Sequence, residues 1–169
     1  MFGIKVRAAA VTIATAAFAV AGGAWAATSA WQGDPPITDG GGWKIADIGA
    51  ATVVVIDSDG IERRGDEARA WVAVLFLEPQ KDEGRTVAIL MARNSYDCRT
   101  GTWKTVSKRQ LDEAGRVVSG GDVIPGQPKV AEDLQAKLLK AVCEPASLDG
   151  DKMTDLVVAR DAFVKVMTR

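Results

Sequence analysis

Ala70-Trp71-Val72-Ala73-Val74-Leu75-Phe76-Leu77-Glu78 is the stretch that decides the fold. Trp71, Ala73, Leu75 and Leu77 fall on one face at period two, and Val72, Val74 and Phe76 fall on the other. A strand with two apolar faces belongs at the centre of a sheet, covered on both sides. Pro79 is expected to end it, with Gln80 to Gly84 as the polar loop that follows. Thr86 to Cys98 repeats the pattern, with Val87, Ile89 and Met91 alternating against Ala88, Leu90 and Ala92.

Outward from this pair, the N-terminal side reads as more strands. Trp43 to Ile48 and Thr52 to Asp57 are rich in tryptophan, isoleucine and valine, with Gly49-Ala50-Ala51 as a bend between them. Asp57-Ser58-Asp59-Gly60 is a turn whose carboxylates bond nearby amides and whose glycine accepts positive φ. A short polar strand at Ile61 to Arg64 precedes the turn at Gly65-Asp66. On the C-terminal side, Thr102 to Leu111 places Lys104, Lys108 and Gln110 with Val106 on one face, and Trp103, Thr105 and Leu111 on the other. One face of that strand should therefore meet water. Asp112 to Gly115 reads as a hairpin loop with Gly115 left-handed, and Arg116 to Ser119 returns as a short strand.

The period then changes. Across Lys129 to Cys143, Val130, Leu134, Leu138 and Val142 recur every four residues, the stripe of an amphipathic helix. Pro128 suits its first turn and Glu144-Pro145 stops it. A weaker helix is expected after Thr154 as N-cap, with Leu156, Val157, Phe163, Val164 and Met167 on its apolar side; its β-branched content leaves a strand as the alternative. Consecutive strands followed by a helix give an α+β fold: an antiparallel sheet of five or six strands with a C-terminal helix packed on one face.

The ends of the chain bear on location. Lys5 and Arg7, the uncharged run Ala8 to Val20 and the small-x-small site Ala24-Trp25-Ala26 read as a signal peptide over residues 1–26. The run is alanine-rich and well short of the ~20 apolar residues of a membrane span. No cysteine stands at the cleavage point, so the expected location is periplasmic or extracellular, without a lipid anchor and without a membrane span after signal removal. Residues 27–42 read as a flexible linker, with Gly33-Asp34-Pro35-Pro36 and Asp39-Gly40-Gly41-Gly42. The single domain then spans 43–145, and 146–169 is a C-terminal extension expected to be helical. Export favours joining Cys98 to Cys143, the only two cysteines; by loop-closure entropy a bond closing a loop of that length contributes about 4 kcal/mol. That bond ties a sheet strand to the end of the helix.

Composition excludes more chemistry than it suggests. The 169 residues contain no histidine, so no Ser-His-Asp or Cys-His pair can form and no metal site can use imidazole. Two cysteines are too few for a four-thiolate zinc site or an iron–sulfur cluster. A formal charge of -1 gives no global attraction to nucleic acid. Asp57, Asp59, Asp112 and Glu113 sit in turns, and Asp57-Ser58-Asp59-Gly60 lacks the later glutamate of a calcium loop. No cofactor is called for. The basic residues Arg99, Lys104, Lys108 and Arg109 cluster around one strand and form a candidate binding patch for an anionic partner; the plainer account is a lysine-guarded sheet edge. Trp43, Trp71 and Trp103 would line a ligand groove or, at strand spacing, fill the core.

The order of residues is also distinctive. Trp43 leads the first strand, followed by Ile61-Glu62-Arg63-Arg64-Gly65-Asp66 and Trp71. Tyr96-Asp97-Cys98 and Trp103 come next, then Leu111-Asp112-Glu113-Ala114-Gly115-Arg116-Val117-Val118 and a helix ending in Val142-Cys143. From about Trp43 to Cys143 this resembles the surface-adhesin protein E family of bacterial envelope proteins. The resemblance implies an antiparallel sheet with a disulfide-held helix, binding of host extracellular-matrix or serum proteins, and no catalytic activity. The leading expectation is thus an exported, non-enzymatic binding module with a protein partner. The alternative is a periplasmic domain that binds a small ligand or an envelope partner, with a homo-oligomer left open. A hydrolase working through carboxylates alone would need a close pair in a cleft, for which the sequence gives no arrangement.

Overall fold

The computed structural model describes residues 39–124 and 126–167. The expected signal peptide, residues 1–26, and positions 27–38 of the expected linker lie outside them. Strands β1 (Asp39–Ile48), β2 (Thr52–Asp57), β3 (Glu62–Arg64), β4 (Glu67–Asp82), β5 (Arg85–Asp97), β6 (Thr102–Leu111), β7 (Val117–Asp122) and β8 (Lys129–Val130) come first. Helix α1 (Asp133–Cys143), a single 3-10 turn (Pro145–Ser147), β9 (Met153–Asp155) and α2 (Leu156–Met167) follow. The strands form one antiparallel sheet in the order β7-β6-β5-β4-β2-β1-β9, with β3 added to β4 and β8 to β6.

β4 is the central strand that its two apolar faces require. Trp71, Ala73, Leu75 and Leu77 enter one core with Trp43, Val53, Val55, Ile89, Met91 and Leu111, covered by Leu156 and Ala159 of α2. Val72 and Ala70 enter a second core with Val54, Ile56 and Tyr96, covered by Leu138, Ala141 and Val142 of α1. The two helices therefore cover opposite faces of the sheet. Eleven large side chains are fully buried in these cores, and each such aliphatic chain contributes about 1.5–3 kcal/mol by leaving water.

Several features differ from the sequence reading. The described residues hold nine strands instead of five or six; β8 and β9, with two and three residues, are too short to show a period. The chain after the disulfide helix is integral to the fold, since β9 pairs with β1 and α2 covers the first core. β1 begins at Asp39, ahead of Trp43. Pro79 does not end β4: the register with β5 shifts between Leu75 and Gln80, and a bulge there absorbs a residue that lacks an amide proton. The β4–β5 hairpin closes instead at Glu83-Gly84, both at positive φ (47° and 79°) between the paired Asp82 and Arg85. α1 starts at Asp133, because Lys129 and Val130 pair with Trp103 and Thr102 as β8, which leaves Pro128 ahead of a strand and not in a helical turn. Asp155, not Thr154, caps α2: its Oδ1 accepts from the amides of Val157 and Val158 at 2.8 and 3.1 Å.

Cys98 and Cys143 form a disulfide with Cα atoms 5.7 Å apart. Asp97 shapes the turn that presents Cys98, its Oδ1 accepting from the amides of Arg99 and Thr100 at 2.9 Å each, while Gly101 closes the turn at φ 69°. The bond from Thr100, with that from Arg99, holds the Asp97 carboxyl below its ordinary range. Arg63 donates to the Cys143 carbonyl at 2.8 Å from the β3 side. The disulfide so joins the β5–β6 turn to the last turn of α1.

Candidate functional site

Partners directly opposite in an antiparallel ladder project from the same face. On the face that carries α2, the ladder runs from an apolar end into a polar one. Leu75 with Ile89 and Ala73 with Met91 are followed by Trp71 with Arg93, Arg69 with Ser95 and Glu67 with Asp97. β3 extends the polar end by setting Glu62 beside Arg69 and Arg64 beside Glu67. β6 extends it on the other side with Arg109, Ser107, Lys104 and Thr102 opposite Met91, Arg93, Ser95 and Asp97. The result is a polar strip across four strands, past the end of the core that α2 covers.

The strip is cross-linked internally. Arg93, only 8% exposed, donates to Glu62 Oε1 at 2.6 Å. Ser95 and Arg69 both donate to Glu67 Oε1, at 2.5 Å and at 3.3–3.4 Å. Burial lowers the pKa of Arg69, with Glu67 pulling the other way, and a guanidinium remains charged regardless. Arg109 donates to Ser107 Oγ at 2.8 Å. Lys104 has no ion-pair partner among the described residues. The Trp71 indole N–H, on the same face beside Arg93, is buried without an acceptor among them. At the β6 end, Glu67, Ser95, Asp97, Thr102, Trp103, Lys104 and Pro128 line a cleft of about 180 Å3.

The basic residues singled out in the sequence divide. Lys104 and Arg109 lie on the strip, whereas Lys108, opposite Ala92, is exposed on the other face. The cause is a register shift that leaves Val106 unmatched between Ser107↔Arg93 and Thr105↔Asn94. The extra residue inverts the alternation, and the Val123 amide meets the Val106 carbonyl at 3.0 Å where β7 leaves the sheet. Arg99 stands in the turn after β5 and pairs with Asp66 at 3.1 Å. Arg64, Arg69 and Arg93 join the strip from β3, β4 and β5; their signal in the sequence is charge at every second position, Glu62/Arg64 and Glu67/Arg69, flanking the apolar strand. Of the tryptophans, Trp43 and Trp71 are core residues and Trp103 packs against the α1 core.

Among the described residues no group of three or more acidic, cysteine or histidine side chains is gathered to hold a metal ion, and no helix is long and apolar enough to cross a membrane. Of the strip's carboxylates, Glu62 and Glu67 are engaged by arginine and serine side chains and Asp97 by backbone amides. A disulfide fits a compartment outside the cytoplasm. Fold and strip together define the class: a disulfide-stapled α+β domain that presents a charged sheet face. The surface-adhesin protein E family matches residues 43–144, and the chain belongs to that family. No curated protein and no solved structure matches the chain.

Proposed function

We propose that the chain is an exported, non-enzymatic binding module that engages host matrix or serum proteins. The observation that carries this reading is the family match over 43–144, which spans the strip, β2 to β8 and the disulfide helix. The dimensions of the site agree with a protein partner. The cleft of about 180 Å3 falls below the roughly 300–1,000 Å3 of small-molecule pockets, and the larger hollows, from 330 to 450 Å3, are open surface grooves. On this reading the four residues Arg99, Lys104, Lys108 and Arg109 contribute unequally, and Lys104 and Arg109 carry the contact.

The test is binding of the purified mature protein to a panel of immobilised matrix and serum glycoproteins, together with fractionation of the producing cells. Saturable binding to at least one panel member and recovery outside the cytoplasm are expected. A protein confined to the cytoplasm would refute export and with it both readings, whereas one that binds no panel member and instead co-purifies with an envelope protein would replace this reading with the periplasmic one.

A further inference from the structure

We infer that the polar strip is a docking surface for an extended acidic segment of a protein partner. This deepens the binding-module reading and rests on it.

Charge sets the sign. Arg64, Arg69, Arg93, Lys104 and Arg109 stand on one face against Glu62, Glu67, Asp97 and, on β7 opposite Ser107, Asp122, so cations outnumber anions there by one although the chain as a whole is at -1. The ion pairs Arg93–Glu62, between strands, and Arg69–Glu67, two residues apart on β4, do not involve Lys104, which lines the cleft. A half-buried ammonium lining such a cleft attracts a carboxylate of a docking partner.

The pattern sets the class. A dense polyanion such as a sulfated glycan would meet Glu62 on β3 and the adjacent Glu67 and Asp97 on β4 and β5 and be repelled. An acidic peptide carries isolated carboxylates separated by neutral groups, and its own amides can donate to the interleaved glutamates. The strip crosses β3, β4, β5 and β6, about 14 Å at the usual strand spacing, which an extended peptide spans in four to five residues.

The bulge at Val106 supplies an internal control, because Lys104 and Lys108 sit four residues apart on one strand and on opposite faces. The experiment uses the mature full chain and a fluorescein-labelled ten-residue peptide of alternating Glu and Thr, followed by anisotropy at low and at moderate salt. The wild type should bind it, and the Gln-Thr counterpart should not. Lys104→Gln should weaken binding by about tenfold, the scale of one interfacial charge, while Lys108→Gln stays within about twofold. Since the Lys104 side chain has no ion-pair partner among the described residues, its variant should keep the wild-type melting temperature.

Equal losses for Lys104→Gln and Lys108→Gln would overturn the inference, as would a Lys104-dependent preference for a sulfated oligosaccharide. A self-association abolished by Lys104→Gln would overturn it in favour of a second copy as occupant. The two proposals fail separately. Peptide binding without any matrix or serum partner removes the host-binding reading and keeps the site; host-protein binding unchanged in Lys104→Gln keeps that reading and removes the site.

Discussion

Tyr96 is the only tyrosine in the chain, which makes its ionisation directly visible. It is fully buried between the sheet and α1, where Asn94 donates to its hydroxyl oxygen at 3.1 Å and the hydroxyl points to Gln135 Oε1 at 3.5 Å. Burial pushes its pKa up to about 12, against a smaller opposing effect of the Asn94 bond. In the unfolded chain the group ionises near ~10. The folded pKa is the higher one, so Tyr96 holds its proton longer in the native state. Its contribution is intact below about pH 10 and is lost as pH rises toward the folded value. Two units correspond to about 2–3 kcal/mol of stability lost across that window. The assay is tyrosinate absorbance at 295 nm under native conditions, with urea midpoints measured between pH 9 and pH 12. The native titration should begin well above pH 10 and coincide with unfolding, and Tyr96→Phe should remove this part of the pH slope. The variant leaves Thr105 donating to Asn94 Oδ1 at 2.9 Å but removes the acceptor of the buried Asn94 amide group, and should cost about 1–3 kcal/mol at neutral pH. A native midpoint near pH 10, or an unchanged alkaline slope in Tyr96→Phe, would refute the reasoning.

Reducing the Cys98–Cys143 bond should lower stability by about 4 kcal/mol through the 45-residue separation it closes, read as a fall in urea midpoint with the fold retained. Arg160 is 4% exposed and donates to the Phe76 and Leu77 carbonyls at 2.7 and 3.3 Å. Arg160→Leu strands both carbonyls and should cost about 2–4 kcal/mol, with faster amide exchange across α2; unchanged exchange there would reject the clamp. Asp155→Ala should cost about 1 kcal/mol as a lost N-cap, whereas Thr154→Ala should stay within about 0.5 kcal/mol. Calorimetry distinguishes the two.

Much of the fold was legible because it follows from local periodicity. The two apolar faces at Trp71–Leu77 required a central strand, and the stripe Leu134, Leu138, Val142 required a helix lying on a sheet. The disulfide followed from cysteine count and the expected compartment. The candidate site was legible only in part. Val106 carries no glycine or proline signal, so strict alternation put Lys104 and Lys108 together, and the two lie on opposite faces. Pro79 did give a signal, but a proline marks either a strand end or a bulge, and only pairing with β5 selects the bulge.

The sequence by itself determined the long strands, the segment that forms the disulfide helix, and which residue types the chain lacks. These are one-dimensional properties: a period, a count, an absent residue type. Only the tertiary structure decided which charges share a surface. Arg64, Arg69, Arg93, Lys104 and Arg109 come from four strands, and strand neighbours are chosen by register over the whole sheet. One unmatched residue exchanges the faces of everything beyond it. The opposite placement of α1 and α2 was decided in the same way, by a central strand with two apolar faces that both needed cover.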